Sequence, residues 1–247
     1  MKGTVNTMLD GMLLVNKPRG MTSHDVVQVV RRKLSVRRVG HTGTLDPMAE
    51  GLLILLVGSA TKHQQAFQRH EKLYEATLKL GTQTDTGDGD GQPIATAPVP
   101  ALQREQLVEV LASFKGPLSQ VPPTYSAVKV RGRPAYWWAR RRTPVTLSSR
   151  TVHLADLTLI DRGVDTITFR VHCSAGTYIR TLAESIANRL GTVGHVSALV
   201  RLRVGRWNLD EAKGLDWIAQ ASPEVISQQL RALAASDTHA LTPSPGP

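Results

Sequence analysis

Apolar residues change their spacing several times along the chain, and each change marks an element. "MLLV" (12–15) is a short unbroken apolar run, the pattern of a buried strand. The loop "NKPRGMTS" follows. Ser23 then stands where a helix cap is expected, and Val26, Val27, Val30 and Leu34 repeat at helical spacing on one face. "LLILLVG" (52–58) reads as a second buried strand. "YEATLKL" alternates, with Tyr74, Ala76, Leu78 and Leu80 facing one way and Glu75, Thr77 and Lys79 the other.

A polar, glycine-rich loop, "GTQTDTGDGDGQP", comes next. Leu107, Leu111 and Phe114 mark a helix. Residues 115–150 are rich in proline, arginine and aromatics, with weak periodicity. "ITFRVHC" alternates again, with Ile167, Phe169, Val171 and Cys173 on one side. "SAG" turns the chain into a helix, "TYIRTLAESIANRLG", with Ile179, Leu182, Ala183, Ile186 and Leu190 inward and Gly191 at its end. From about 208 the signals weaken, and the tail "THALTPSPGP" reads as disordered. Strands and helices mix without strict alternation, so the expected class is α+β with a largely antiparallel sheet flanked by helices.

Composition sharpens this. The 247 residues are 41% hydrophobic and 20% charged, enough for a real core and too few charges for a disordered chain. The net charge of +10 points to a polyanionic partner, and nucleic acid is the first expectation. The single cysteine, Cys173, excludes an internal disulfide and a cysteine-rich zinc site, and fits a reducing compartment. The first residues hold only "MLLV" as an apolar run, too short for a signal peptide or a membrane span. The expectation is a cytoplasmic, soluble protein with no membrane contact.

One stretch resists a structural explanation. "GHTGTLDPMAEGLL" (40–53) puts a single carboxylate, Asp46, into an irregular loop, with His41 five residues before it and a proline after it. Asp before Pro is common in turns, which is the plain alternative. Other motifs fail. In "DTGDGDG", Asp88, Asp90 and Gly91 fit positions three, five and six of a calcium loop. The first position would be Thr86 and the twelfth Ala97, so two essential acids are missing. No phosphate loop is present, and His41, Asp46 and Glu50 lack a further ligand at zinc-like spacing. No metal is expected.

Four segments in this order resemble one family. "LLVNKPRGMTSHDVV", "GHTGTLDPMAEGLLILLVGSATK", "KLYEATLKLGTQTDTGDGDG" and "CSAGTYIRTLAESIANRLG" are similar to the TruB-type RNA pseudouridine synthases, and "PPTYSAVKVRGRPAY" is similar to that family's RNA-contacting insertion. The resemblance spans residues 12 to about 207. It implies isomerisation of a uridine in the T arm of tRNA, position 55 in tRNA numbering. The base is flipped out, detached at its glycosidic nitrogen and rejoined through carbon 5. Such an isomerisation needs no cofactor, redox partner or metal.

The resemblance also assigns roles. Asp46 is the nucleophile; an ordinary Asp has a pKa of about 3.9 and is already ionised at neutral pH. Arg180 balances its charge, Tyr74 is the platform under the base, Tyr178 lines the pocket and Leu199 is an apolar wall. His41 fills the gap left by the flipped base. Lys17 and Asp88 stand near the RNA, although each also reads as a solvated loop residue. Arg180 also reads as a surface helix residue. "RGRPAYWWARRRTP" surrounds Tyr136, Trp137 and Trp138 with Arg131, Arg133, Arg140, Arg141 and Arg142, a pattern that grips phosphates and stacks on bases. A helix with a buried Trp and a charged outer face is the alternative there.

Relatives of this type usually continue into a small RNA-binding domain. Here about 40 residues follow "VGRW", room for a helix or two, so the expected division is a catalytic domain over 1–208, with the insertion at about 115–150, and a short extension over 209–247. Val200 stands where relatives often carry arginine. No obligatory protein partner is implied, and a monomer is expected. The sequence leaves two other readings open: a pseudouridine synthase acting on another RNA, and an RNA-binding or tRNA-folding factor without required chemistry.

Overall fold

The computed structural model describes residues 9–238, so the expectation made for the tail from His239 onward lies outside the described residues. Along the chain run β1 (Gly11–Lys17), α1 (Ser23–Leu34), β2 (Val39–His41), β3 (Glu50–Val57), α2 (Gln64–Gln68), β4 (Lys72–Leu80), β5 (Thr82–Thr84), β6 (Pro93–Thr96), α3 (Arg104–Ala112) and β7 (Gly116–Gln120). They are followed by β8 (Lys129–Val130), β9 (Arg133–Pro134), α4 (Ala135–Ala139), β10 (Arg150–Arg162), β11 (Thr166–Cys173), α5 (Ile179–Arg189), β12 (Gly194–Val204), β13 (Trp207–Asn208), β14 (Lys213–Gly214), α6 (Leu215–Gln220), α7 (Pro223–Ser227) and α8 (Ala235–Thr238). The class is α+β with mainly antiparallel strand pairing, as the sequence indicated. The chain divides into two compact units. One comprises the described residues up to His70 together with those from Val200; the other is Glu71–Leu199.

The first unit is built on β3. "GLLILLV" is buried at every position because strands lie on both of its edges and apolar packing covers both of its faces. β1 pairs antiparallel with it from Gly11↔Val57 to Lys17↔Gly51, and β2 pairs antiparallel with its second half. One face carries Met12, Leu14, Leu52, Ile54 and Leu56, which pack with Ala60, Phe67, Val204 and Trp207. α1 turns Val26, Val27, Val30 and Leu34 inward, as its spacing predicted. Its cap is Thr22 rather than Ser23. Thr22 and Asp25 form a reciprocal capping box, with Thr22 Oγ1 accepting the Asp25 amide at 3.1 Å and Asp25 accepting the Thr22 amide at 2.9 Å. That leaves the Ser23 hydroxyl free for another task.

Residues after β13 fold back onto this unit. β14 pairs parallel with β1 at Val15↔Lys213, Met12 and Arg231 exchange two backbone hydrogen bonds of 2.9 Å, and α6 and α7 occupy the segments where the sequence had room for helices.

In the second unit the strand order is β4-β11-β10-β7, all antiparallel. The alternation read from β4 and β11 is realised: Tyr74, Ala76, Leu78 and Leu80 are buried, as are Ile167, Phe169, Val171 and Cys173. α5 buries Ile179, Leu182, Ala183 and Ile186, and also Arg180. Its helix starts at Ile179, with Tyr178 at the cap position. β10 carries no clean alternation because its register shifts at Leu154/Asp156 and again at Leu159/Asp161, so its buried residues fall at 152, 154 and 157.

Candidate active site

The residues singled out from the sequence fall into both units, and each group is built by its own unit. Lys17, His41 and Asp46 belong to the first. Tyr74, Asp88, Tyr178, Arg180, Leu199 and the insertion arginines belong to the second.

Asp46 is half-buried on the loop from Thr42 to Ala49, between β2 and β3. This loop has no regular structure, yet it is fastened along its length. The Thr42 amide donates to the Ile54 carbonyl at 3.0 Å, the Ala49 amide to the Asp46 carbonyl at 3.1 Å, and the Gly20 amide to the Pro47 carbonyl at 2.8 Å. Ser23 Oγ accepts the Leu45 amide at 2.8 Å and donates to the Leu45 carbonyl at 3.1 Å. Lys17 Nζ donates to the carbonyls of Pro18 at 2.9 Å, Met21 at 2.6 Å and Pro47 at 3.4 Å. The "NKPRGMTS" loop and the start of α1 therefore brace the segment that presents Asp46.

Lys17 is fully buried, so the solvated-loop alternative does not hold for it. Burial pulls its ammonium down to about 8, against an opposing pull from the Asp46 carboxylate and with a further push from Arg201. His41, at the end of β2, is held below the usual histidine range, first by burial and then by the positive charge of Arg201. It stays neutral at pH 7, and its buried Nδ1 has no hydrogen-bond partner among the described residues. A neutral ring with an unused nitrogen suits stacking and hydrogen bonding to a base.

Arg201 was not singled out from the sequence. It is 1% exposed. Its Nε donates to the Leu52 carbonyl at 2.8 Å, Nη2 to the Gly43 carbonyl at 3.1 Å and Nη1 to the Thr44 carbonyl at 3.5 Å. In "LVRLRV" it pairs by alternation with Arg203, which reads as a solvent face. Burial along β12 instead falls at 194, 196, 199, 201 and 204, out of step with a period of two.

In the second unit Arg180 is 4% exposed, which excludes the surface-helix alternative. It donates from Nη1 to the Thr86 carbonyl at 2.7 Å and from Nη2 to the Tyr125 carbonyl at 2.8 Å, and its Nε lies 3.7 Å from Asp88 Oδ2. Asp88 is 5% exposed, so it is not a solvated loop residue either. Its other oxygen accepts Thr86 Oγ1 at 2.6 Å and the Asp90 amide at 3.2 Å. The acids of "DTGDGDG" thus serve their own loop and Arg180. Glu184, one helical turn after Arg180, has its carboxyl pushed up by burial, and the Arg180 charge opposes that shift.

Tyr74 and Leu199 are buried on β4 and β12. The Tyr178 backbone is clamped by the Gln120 amide group, at 3.0 Å to its N–H and 3.2 Å to its carbonyl, and the Arg150 guanidinium lies 4.7 Å over its ring.

The insertion carries exposed arginines around a short helix whose two tryptophans are half-buried. Arg131, Arg133, Arg140, Arg141 and Arg142 are all exposed. Arg141 lies 3.6 Å and Arg133 5.6 Å from the Trp137 ring centre, and Arg140 5.5 Å from that of Tyr136. Trp138 is inward and donates to the Val130 carbonyl at 3.0 Å. Arg131 and Gly132, with φ of 50° and 78°, make the tight turn between β8 and β9.

The α+β sheet is that of the pseudouridine synthases, as solved structures show. A solved H/ACA RNP bound to a substrate RNA containing 2′-deoxyuridine matches over 85% of this chain and 52% of that chain, with TM-score 0.63 and 26% identity. A Cbf5-Nop10-Gar1 complex matches over 91% and 60%, with TM-score 0.69 and 26% identity. The model for the N-terminal domain of the TruB family pseudouridylate synthases matches residues 31–179, which includes Asp46 and stops one residue before Arg180. The tRNA pseudouridine synthase B of Hydrogenovibrio crunogenus is 46% identical over 210 residues, 85% of this chain and 69% of that protein. That of Opitutus terrae is 44% identical over 218 residues, 88% and 90% of the two. The chain belongs to the TruB family of pseudouridylate synthases. It spans 66 to 90% of the length of these and similar curated relatives and 52 to 60% of the length of the solved chains.

Proposed function

We propose that this protein isomerises uridine 55 in the T arm of tRNA to pseudouridine, with Asp46 as the nucleophile. The observation that carries the reading is the Asp46 loop, whose backbone is fastened by Ser23, Lys17, Arg201 and main-chain hydrogen bonds, in a chain that belongs to the TruB family. An ionised carboxylate needs no base to activate it; it needs a fixed direction and a sheltered setting. At sugar C1′ the Asp46 carboxylate displaces nitrogen 1, the base turns, and carbon 5 displaces the carboxylate from C1′. At base C6 the carboxylate adds to the ring, the glycosidic bond to nitrogen breaks, the base turns, carbon 5 bonds to C1′, and the carboxylate is then eliminated from C6. On either route the proton on carbon 5 is lost to solvent.

The other residues take the roles that the family resemblance gives them. His41 is neutral and stacks where the extruded base stood. Tyr74 is the platform for the base, Tyr178 lines the pocket, Leu199 is its apolar wall, and Arg180, oriented by Asp88, balances charge. Lys17 braces the loop from its buried position. The exposed arginines of the insertion hold phosphates. The protein acts in the cytoplasm as a monomer with no obligatory protein partner. The large apolar side chains it exposes, such as Ile94, Val121 and Val164, are scattered along the chain.

The test is tritium release from tRNA transcribed with uridine labelled at carbon 5. Release by the wild type is expected, with none from Asp46→Asn and none when the target uridine is replaced by cytidine. Intact tRNA binding without release would overturn the isomerase reading and leave tRNA remodelling as the function. Release only from a different labelled RNA would transfer the same chemistry to that substrate.

A further inference from the structure

Arg201 presents an unusual energetic situation. Its guanidinium is buried, and among the described residues its hydrogen bonds go to three main-chain carbonyls and to no carboxylate. Burying an unpaired charge costs far more than neutral acceptors return, so a leucine or methionine of similar bulk would serve a purely structural purpose better. What a methionine lacks is the rigid fork of donors. Here the fork joins β3, through Leu52, to the two consecutive loop residues Gly43 and Thr44.

The strand that carries Arg201 is pressed against β3 at one point. Arg201 pairs with Gly51, whose φ is +103°, and a Cβ there would lie 2.5 Å from the Arg201 carbonyl oxygen and 2.8 Å from its amide nitrogen. Only glycine permits this approach, which sets the depth at which the guanidinium meets the loop. The charge also acts at a distance, since it is one cause of the downward shifts of both Lys17 and His41.

We infer that Arg201 is the positioning residue of the Asp46 loop: its guanidinium ties Gly43 and Thr44 to β3 and so fixes the direction from which Asp46 meets the reacting nucleotide. It touches no substrate atom and acts through the loop. Its charge additionally favours a neutral His41. The inference rests on the assignment of Asp46 as nucleophile, but its structural half does not.

The test compares wild type with Arg201→Lys, which keeps the charge without the fork, and Arg201→Met, which removes both. Two readouts are taken: amide hydrogen exchange of residues 42–49 against that of β3, and single-turnover pseudouridine formation alongside tRNA affinity. Exchange in the loop is expected to rise at least about tenfold in both variants while β3 stays protected. The single-turnover rate falls about 10- to 100-fold, and tRNA affinity changes by less than about threefold. A second route to the same loop, Ser23→Ala, gives a smaller rate loss, and the double variant Ser23→Ala/Arg201→Lys loses less than the product of the two.

An unchanged loop exchange would overturn the inference. So would a loosened loop with an unchanged rate. If β3 loses protection too, Arg201 holds the whole unit rather than the loop, and the inference fails. Should the wild type form no pseudouridine, the proposed function falls while the exchange readout still decides whether Arg201 holds the loop.

Discussion

Ser23 Oγ and the Leu45 backbone satisfy each other twice, the hydroxyl accepting the Leu45 N–H at 2.8 Å and donating to its carbonyl at 3.1 Å. The two residues are buried, and Leu45 is the immediate neighbour of Asp46. Ser23→Ala would leave a buried N–H without its acceptor, at a cost of about 1–2 kcal/mol. For a chain of this size that lowers the melting temperature by roughly 2–4 °C per kcal/mol. The same change frees the backbone next to Asp46, the proposed nucleophile, so kcat is expected to fall by about fivefold with KM little altered. Thermal melts and steady-state kinetics on the one variant check both halves.

Asp88 is buried and serves three partners, so the chemistry of its replacement sets the cost. Asp88→Asn keeps an oxygen for Thr86 Oγ1 and the Asp90 amide but loses the charge that faces Arg180. Asp88→Ala loses everything. A cost of about 3 kcal/mol is expected for alanine and roughly half that for asparagine. Denaturant midpoints at matched m-values measure the difference. Equal midpoints for the two variants would show that the charge, rather than the loop hydrogen bonds, sets the cost.

How much of this was legible beforehand depended on whether local pattern and tertiary demand agreed. β4 and β11 were visible because one face of each is buried without a break in register. β10 was invisible: its two register shifts break the period of two, so Val152, Leu154 and Leu157 carry no readable rhythm. α1 was visible, but its cap was placed one residue late, because Thr22 and Ser23 are both good caps and only the Asp25 side chain decides between them. The Asp46 loop stood out through its own residue pattern. Arg201 did not, because a buried cation on a strand that alternates with a second arginine looks like a solvent face until the carbonyls it serves are seen.

Lys17 gives the site a pH signature. Its ammonium is held at about 8, below the ordinary 10.5. Below pH 8 both the folded and the unfolded chain carry the proton, and the folded state bears the whole cost of burying the charge. Between about 8 and 10.5 the unfolded chain holds a proton that the folded one has released, so this residue makes stability rise with pH across that window. Lys17→Met removes that contribution, and the difference between the two stability–pH curves should climb from pH 8 upward. Activity should move the other way. Loss of the positive charge facing Asp46 gives the kcat/KM profile of the wild type a falling limb centred near 8, and Lys17→Arg, which cannot deprotonate, moves that limb upward. A limb that stays at 8 in Lys17→Arg would assign it to another group.

The role proposed for the insertion arginines can be tested through the rings that organise them. Trp137 carries two guanidinium groups, Arg141 at 3.6 Å and Arg133 at 5.6 Å, so the ring organises two exposed cations. Each such contact is worth about 0.5–1 kcal/mol at an exposed site. Trp137→Ala should therefore weaken tRNA binding by about 5- to 10-fold at fixed salt, through disordered arginines rather than through lost folding. Arg140→Ala/Arg142→Ala removes two exposed charges directly. If both meet phosphates, the slope of log K against log salt becomes shallower by about 1.4–1.8. Trp138→Phe is the contrast: it removes the inward donor to the Val130 carbonyl, and should lower the stability of this segment while leaving the salt slope intact. Binding titrations between about 50 and 200 mM salt separate the three. A double arginine variant with the wild-type slope would place the RNA grip elsewhere on the chain.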